Sequence, residues 1–316
     1  MIHMRTLILH LGAHKTATTF LQRNFAANAD KITSCKFFSV HSPDAAFNEF
    51  RRSYSHDRNT LLLRTGATER SAVAESLTEK LSKLFESCSH STIILSDENL
   101  FGPTPGHTRI PTLYPGSRGM AKAFAALKGF DKIKVRLYIR RQDSLLLSSY
   151  KDYIAKLIGG LSLVDFIAKQ DLSGYAWNEV IAPWTKQVDA FEVSVVPYES
   201  IYQSADHYFH EFIQFCGIEG TVTVSPSRVN EGLSARQCRF AALVANELRP
   251  KERKPFRRFL QNAIKSDDPA DNEFIWDNSA VLEVVRREYR TLKTMIDAKN
   301  SSAMAAFKKH YAISDS

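Results

Sequence analysis

The strongest constraint on the fold lies near the N-terminus. Thr6–Leu11 is short and apolar enough for a buried strand, and it runs into a turn at Gly12. From Thr18 to Ala29 the apolar residues Phe20, Leu21, Phe25 and Ala29 recur at helical spacing. A strand, a glycine turn and a helix in that order open a nucleotide-binding α/β fold. The rhythm continues along the chain. Thr92–Ser96, Lys134–Arg140 and Glu192–Pro197 read as further strands. Glu69–Cys88, with Val73, Leu77, Leu81 and Leu84 on one face, reads as a helix. So do Met120–Leu127, Asp143–Ile158 and His207–Cys216, and Asp143 or Ser144 is the expected cap of the third. This alternation predicts an α/β fold with a mainly parallel central sheet flanked by helices.

Two segments depart from the rhythm. Gly102–Gly119 holds four prolines and four glycines, the composition of an ordered connection or of a lid over an acceptor. After Ser234 the chain reads as helices only. An α/β core over residues 1–233 is therefore expected, with a helical extension over 234–316 packed on the same domain. Hydrophobic residues at 44% and charged residues at 24% exclude disorder of the whole chain. No apolar run approaches the roughly 20 residues that span a bilayer. The first residues lack the pattern of a signal peptide. The four cysteines are far apart and form no CxxC pair, so neither a zinc ribbon nor a disulfide framework is indicated, and a reducing cytoplasm is expected.

The formal charge of +8, from 42 basic and 34 acidic residues, asks for an anionic partner. Part of it is concentrated in Arg249, Lys251, Arg253, Lys254, Arg257 and Arg258. That run reads as a solvated helix face or as a cradle for an acidic acceptor. It lacks the repeated aromatic interleaving of a single-strand binding groove, so nucleic acid is not expected there.

The chemistry is carried by Gly12-Ala13-His14-Lys15-Thr16-Ala17-Thr18-Thr19. Backbone N–H groups where a strand turns into a helix point at an anion, and the helix dipole favours one. Lys15 adds charge and three threonines add hydroxyls. The segment is not a Walker A loop: His14, not Gly, precedes Lys15, and no Gly stands five residues earlier.

Leu9–Gln22 instead resembles the 5′-phosphosulfate loop of sulfotransferases that use 3′-phosphoadenosine 5′-phosphosulfate (PAPS), its bacterial members above all. Ala17 stands where that family usually has Gly, and its methyl group is tolerable there if the backbone is already helical. Arg140 and Ser148 resemble the family's strand-terminal Arg and the Ser eight residues later, which bind the donor's 3′-phosphate. Arg141 and Ser149 give the same separation shifted by one. Val195–Glu199, Phe212–Ile218 and Arg228–Ser234 continue the likeness, so that it spans residues 6–235 in order. The resemblance implies a P-loop-like sulfotransferase fold and in-line transfer of a sulfuryl group from PAPS to a hydroxyl or amine, without a metal.

In the same terms Lys15 stabilises the leaving phosphate, while Gly12, Ala13, His14, Thr16, Ala17, Thr18 and Thr19 hold the 5′-phosphate. A general base is needed as well. Glu98, at the carboxyl end of strand Thr92–Ser96, is the candidate, with Asp97 equally placed by sequence. His14 could contact the transferring group, and His56 and His107 lie in flexible segments. His10 reads as a core histidine. The acceptor is unread; a glycan or small metabolite fits the bacterial likeness, and an acidic one stays open. The alternatives are a P-loop-type kinase and a non-catalytic nucleotide- or glycan-binding protein of the same fold.

Overall fold

The computed structural model describes residues 4–41, 44–63, 67–107, 113–187, 189–225, 232–263, 273–274 and 276–313, with side chains except those of 55–71 and 261–263. Five strands form one sheet: β1 (Thr6–Gly12), β2 (Cys35–Ser39), β3 (Thr92–Ser96), β4 (Lys132–Ile139) and β5 (Glu192–Pro197). Their order across the sheet is β2-β3-β1-β4-β5, and every pairing is parallel. β1 is central. It pairs with β3 from Thr6 opposite Thr92 and with β4 from Thr6 opposite Lys132. Leu7, Ile8, Leu9, His10 and Leu11 are all buried, which is why this strand reads as a continuous apolar run rather than an alternating one. His10 is the core histidine expected. Its Nδ1 lies 2.7 Å from Ser96 Oγ, and burial followed by the nearby Arg136 charge lowers its pKa to about 3.

The helices, in order, are α1 (Thr18–Ala27), α2 (Ala45–Leu63), α3 (Ala67–Glu86), α4 (Ser117–Ala125), α5 (Gln142–Ala155), α6 (Leu163–Ala168), α7 (Trp177–Thr185), α8 (Ala205–Phe215), α9 (Ala235–Val244), α10 (Pro250–Ala263), α11 (Ser279–Met295) and α12 (Ser301–Tyr311). The parallel α/β architecture is the one expected. The sequence reading passed over β2, α2, α6 and α7. β2 is a five-residue edge strand with a lysine at its second position and no clean alternation of burial. α2 is largely polar, and its inward face in the described part rests on Phe47, Phe50 and Tyr54. α5 also starts earlier than expected: Arg141 occupies the N-cap position without a side-chain cap, and Asp143 sits in the first turn.

The C-terminal helices are fastened to the sheet at its β5 edge and to the helices beside it. Ile296, just past α11, bridges Val195 of β5, and Asp297 N–H donates to the Val195 carbonyl at 3.1 Å, so the exposed edge is covered. Glu288 of α11 does a different job. α7 starts at Ala176 without a side-chain cap. The Glu288 carboxylate instead accepts from Trp177 N–H at 2.6 Å, from Asn178 N–H at 3.1 Å and from Gln142 Nε2 at 2.8 Å. It therefore caps α7 from another helix and binds α5 in the same stroke. Replacing Glu288 with Ala leaves two amides and a buried carboxamide short of a partner. The expected loss is about 1–3 kcal/mol, read as a lower urea midpoint at unchanged slope. An unchanged midpoint would mean that another group satisfies the start of α7.

Candidate functional site

β1 delivers the chain to the carboxyl edge of the sheet, and Ala13 N–H fixes it there by donating to the Tyr138 carbonyl of β4 at 3.2 Å. The next residues form a tight turn. Lys15 has φ 69° and Ala17 has φ 58°, both left-handed, while Thr16 between them does not. Alternating hand along a turn gathers successive N–H groups on its concave side, which makes an anion-binding concavity. α1 then begins at Thr18, and Ala17 has no side chain with which to cap it. The first amides of α1 are thus left for an outside acceptor. Thr16 Oγ1 donates to the Ala13 carbonyl at 2.5 Å, and Tyr208 of α8 donates its phenol to the Thr16 carbonyl at 3.1 Å. Thr18 Oγ1 is buried with no partner. It lies against Gly12, where any Cβ would run into it, so the turn needs glycine at that position.

Ala17 corrects the expectation drawn from the sequence. Its methyl group was acceptable there on a right-handed helical backbone. The backbone is left-handed, the conformation that glycine adopts freely and that strains an L side chain.

Charges surround the turn. Lys15 Nζ meets Asp152 Oδ1 at 2.7 Å, and Lys156 Nζ meets Asp152 Oδ2 at 2.6 Å. Burial lowers the Lys15 pKa, and Asp152 restores only part of it. For Asp152, burial pushes the carboxyl up, but Lys15 and Lys156 hold it below its usual value. His107 Nε2 lies 3.7 Å from Asp152 Oδ2 and donates to the Ser149 carbonyl at 2.9 Å. Its pKa is lowered by burial, so the ring is neutral near pH 7 with Nδ1 unprotonated. His14 donates its backbone N–H to the Tyr114 phenol at 2.8 Å, and its ring stacks on Tyr114 with centroids 6.1 Å apart. Burial, then Lys15, lowers the His14 pKa to about 3. The Pro- and Gly-rich stretch therefore meets the site at two places, α5 through His107 and the turn through Tyr114; residues 108–112 lie outside the described residues.

Arg140 follows the last residue of β4. Its Nη1 donates to the Lys15 carbonyl at 2.7 Å, its Nε donates to Ser144 Oγ at 2.9 Å, and its guanidinium lies over the Tyr198 ring at 4.6 Å. Ser144, Ser148, Asp152 and Lys156 recur every fourth residue, so they share the face of α5 that carries these contacts. The shifted pair is engaged elsewhere. Arg141 forks onto Asp143 with two 2.7 Å bonds and donates to the His310 carbonyl of α12 at 2.8 Å. Ser149 is 0% exposed.

Asp97 and Glu98, equally placed in the sequence, are not equivalent in space. Asp97 is 1% exposed, accepts from Asn99 N–H at 2.9 Å and pairs with Arg51 Nε at 3.0 Å. It caps the 3-10 turn that leaves β3. Glu98 is half-buried, and its Oε2 has no partner. Burial, then the Asp97 charge, raises its pKa. Its own charge is among the causes that raise the Tyr114 phenol, which links it to the His14 side of the turn. The side chain of His56 and residues Arg228–Glu231 lie outside the described residues. Asp152, Lys156 and Tyr114 escaped the sequence reading. The four-residue spacing from Ser148 was the signal available for the first two.

No family model matches the chain, and no curated protein does. Among solved structures, a sulfotransferase from Alicyclobacillus acidocaldarius aligns with a TM-score of 0.42 and 14% identity over 81% of this chain and 92% of its own. The sulfotransferase domain from the curacin biosynthetic pathway aligns with a TM-score of 0.38 and 11% identity over 90% of this chain and 96% of its own.

The left-handed Ala17 yields a paired test. Ala17→Gly removes a methyl group from a strained position, so stability is expected to hold or rise by up to about 1 kcal/mol. Ala17→Val puts a branched side chain on the same backbone and is expected to lose more than about 1 kcal/mol. Equal melting temperatures for the two variants would contradict the turn geometry.

Proposed function

We propose that the protein is a sulfotransferase that uses PAPS to sulfate a hydroxyl or amine of an acceptor, a glycan or small metabolite. One observation carries the proposal. The turn that offers N–H groups and Lys15, and the guanidinium of Arg140, stand side by side at the sheet's carboxyl edge, joined by the bond from Arg140 to the Lys15 carbonyl. Two cationic sites held at a fixed separation suit a nucleotide that carries phosphate at both its 5′ and 3′ positions. The residues have donors to spare. The Lys15 ammonium has three N–H bonds and uses one on Asp152. Arg140 has five and uses two. Thr18 Oγ1 is a buried hydroxyl awaiting a partner.

When bound, PAPS supplies an activated sulfuryl group whose departure leaves charge on the 5′-phosphate. In this reading the amides that begin α1, with the hydroxyls of Thr18 and Thr19, hold that phosphate, while Thr16, whose N–H and hydroxyl both donate to the Ala13 carbonyl, shapes the turn. Lys15 sits where the charge grows and favours the transition state over the ground state. Arg140 and Ser148 grip the 3′-phosphate through a planar fork and a hydroxyl. Burial keeps Glu98 a stronger base than an exposed carboxylate, suited to taking the acceptor's proton. His107 is the second candidate base: its Nε2 is held by the Ser149 carbonyl near Asp152, which leaves Nδ1 as the ring's proton acceptor.

Adenosine 3′,5′-bisphosphate is expected to raise the melting temperature. ATP with magnesium raising it instead would favour a kinase. Lys15→Ala is expected to lower turnover about 100-fold or more while leaving donor affinity nearly unchanged. Arg140→Ala is expected to weaken donor binding about 10-fold or more; unchanged binding would remove Arg140 from the 3′-site. The sign of the pH effect follows from Glu98. A base must be ionised to act, so activity rises with pH through a pKa above the ordinary carboxylate value, and Glu98→Gln abolishes that limb. A limb that survives in Glu98→Gln and vanishes in His107→Asn assigns the base to His107.

A further inference from the structure

The basic run of residues 249–258 belongs to no part of the site above. α10 carries most of it and packs antiparallel on α9: Gln237 Nε2 donates to the Leu260 carbonyl at 2.6 Å, and the Phe240 and Phe256 rings lie 6.0 Å apart. Phe256 in turn lies 6.2 Å from Phe259. Phe256 and Phe259 stand among and beside these cations in the sequence, and the fold adds Phe240 from α9 to them. Two of them stay open to solvent, Phe240 at 37% and Phe259 at 48%, and Leu243, one turn beyond Phe240, is 79% exposed. Cations surround this ridge. Residues 236–258 hold eight Arg and Lys against Glu247 and Glu252, so most of the chain's +8 resides here. Arg249 pairs with Glu252 at 2.7 Å. Lys251, Lys254, Arg257 and Arg258 are exposed and form no ion pair with a described residue.

A merely solvated helix face has no use for an open leucine beside open phenylalanines. A nucleic-acid backbone would take the cations and leave Leu243 without a role. A protein partner would have to be both apolar and almost purely acidic. An anionic bilayer offers both halves at once, an apolar depth for the ridge and lipid phosphates for the cations. We propose that the α9–α10 pair docks on the surface of an anionic lipid bilayer. Phe240, Leu243 and Phe259 enter the headgroup boundary, and Lys251, Lys254, Arg257 and Arg258 rest over the phosphates.

Co-sedimentation of the full chain with vesicles tests this. Vesicles of phosphatidylcholine with about one third phosphatidylglycerol should bind it, pure phosphatidylcholine should not, and added salt should weaken the binding. Removing each cation should cost roughly 5-fold in partition, so Lys251→Ala/Lys254→Ala/Arg258→Ala should lose about 100-fold. Leu243→Ser/Phe259→Ser should lose at least about 10-fold, with melting temperature and circular dichroism recording that both variants stay folded. Failure of the wild type to bind anionic vesicles overturns the proposal. So does undiminished vesicle binding by Leu243→Ser/Phe259→Ser, which would reduce the patch to a polyanion site. Retention on heparin or duplex DNA without vesicle binding overturns it in favour of a soluble polyanion.

Discussion

The bond from Arg140 to the Lys15 carbonyl is the contact on which the candidate site depends. β1 and β4 are neighbours in the sheet, and each is followed within three residues by a cation, Lys15 and Arg140, at the same edge. Without that bond, the turn after β1 and the arm after β4 would be two separate anion sites with no set distance. With it, the turn inherits the rigidity of the sheet. Tyr208 reinforces the same turn from α8, and Ala13 pins its start to β4. A site preorganised in this way need not spend binding energy on ordering its own loop.

Asp152 gives the site its electrostatic balance. Lys15, Lys156 and Arg140 would otherwise crowd positive charge around a partly buried ammonium. One carboxylate shared between two lysines neutralises part of that charge while leaving a net positive field. The turn therefore tolerates its partly buried lysine while its surroundings stay net positive.

The sheet was legible in the sequence because its central strands are apolar and short. Thr92–Ser96 and Glu192–Pro197 were read with the bounds they have. The anion turn was legible because glycine, lysine and threonines cluster between strand and helix. β2 was illegible because an edge strand with a lysine in it has no period to detect. Asp97 and Glu98 were indistinguishable because one residue of chain separates them, whereas their roles depend on Arg51, 46 residues from Asp97. The conformation of Ala17 was hidden for a different reason: alanine usually signals a right-handed helix, and here the surrounding contacts override that preference.

The contacts that build the site span very long stretches of chain. Lys15 and Asp152 are 137 residues apart, His14 and Tyr114 100, and Thr16 and Tyr208 192. None of these can form until distant parts of the chain have met, and parallel strands impose the same delay. The anion turn is therefore a late product of folding. A nascent chain or an excised N-terminal fragment would carry the whole motif of residues 12–19 and yet lack the groups that shape it, so the geometry of this turn reports on completion of the entire fold.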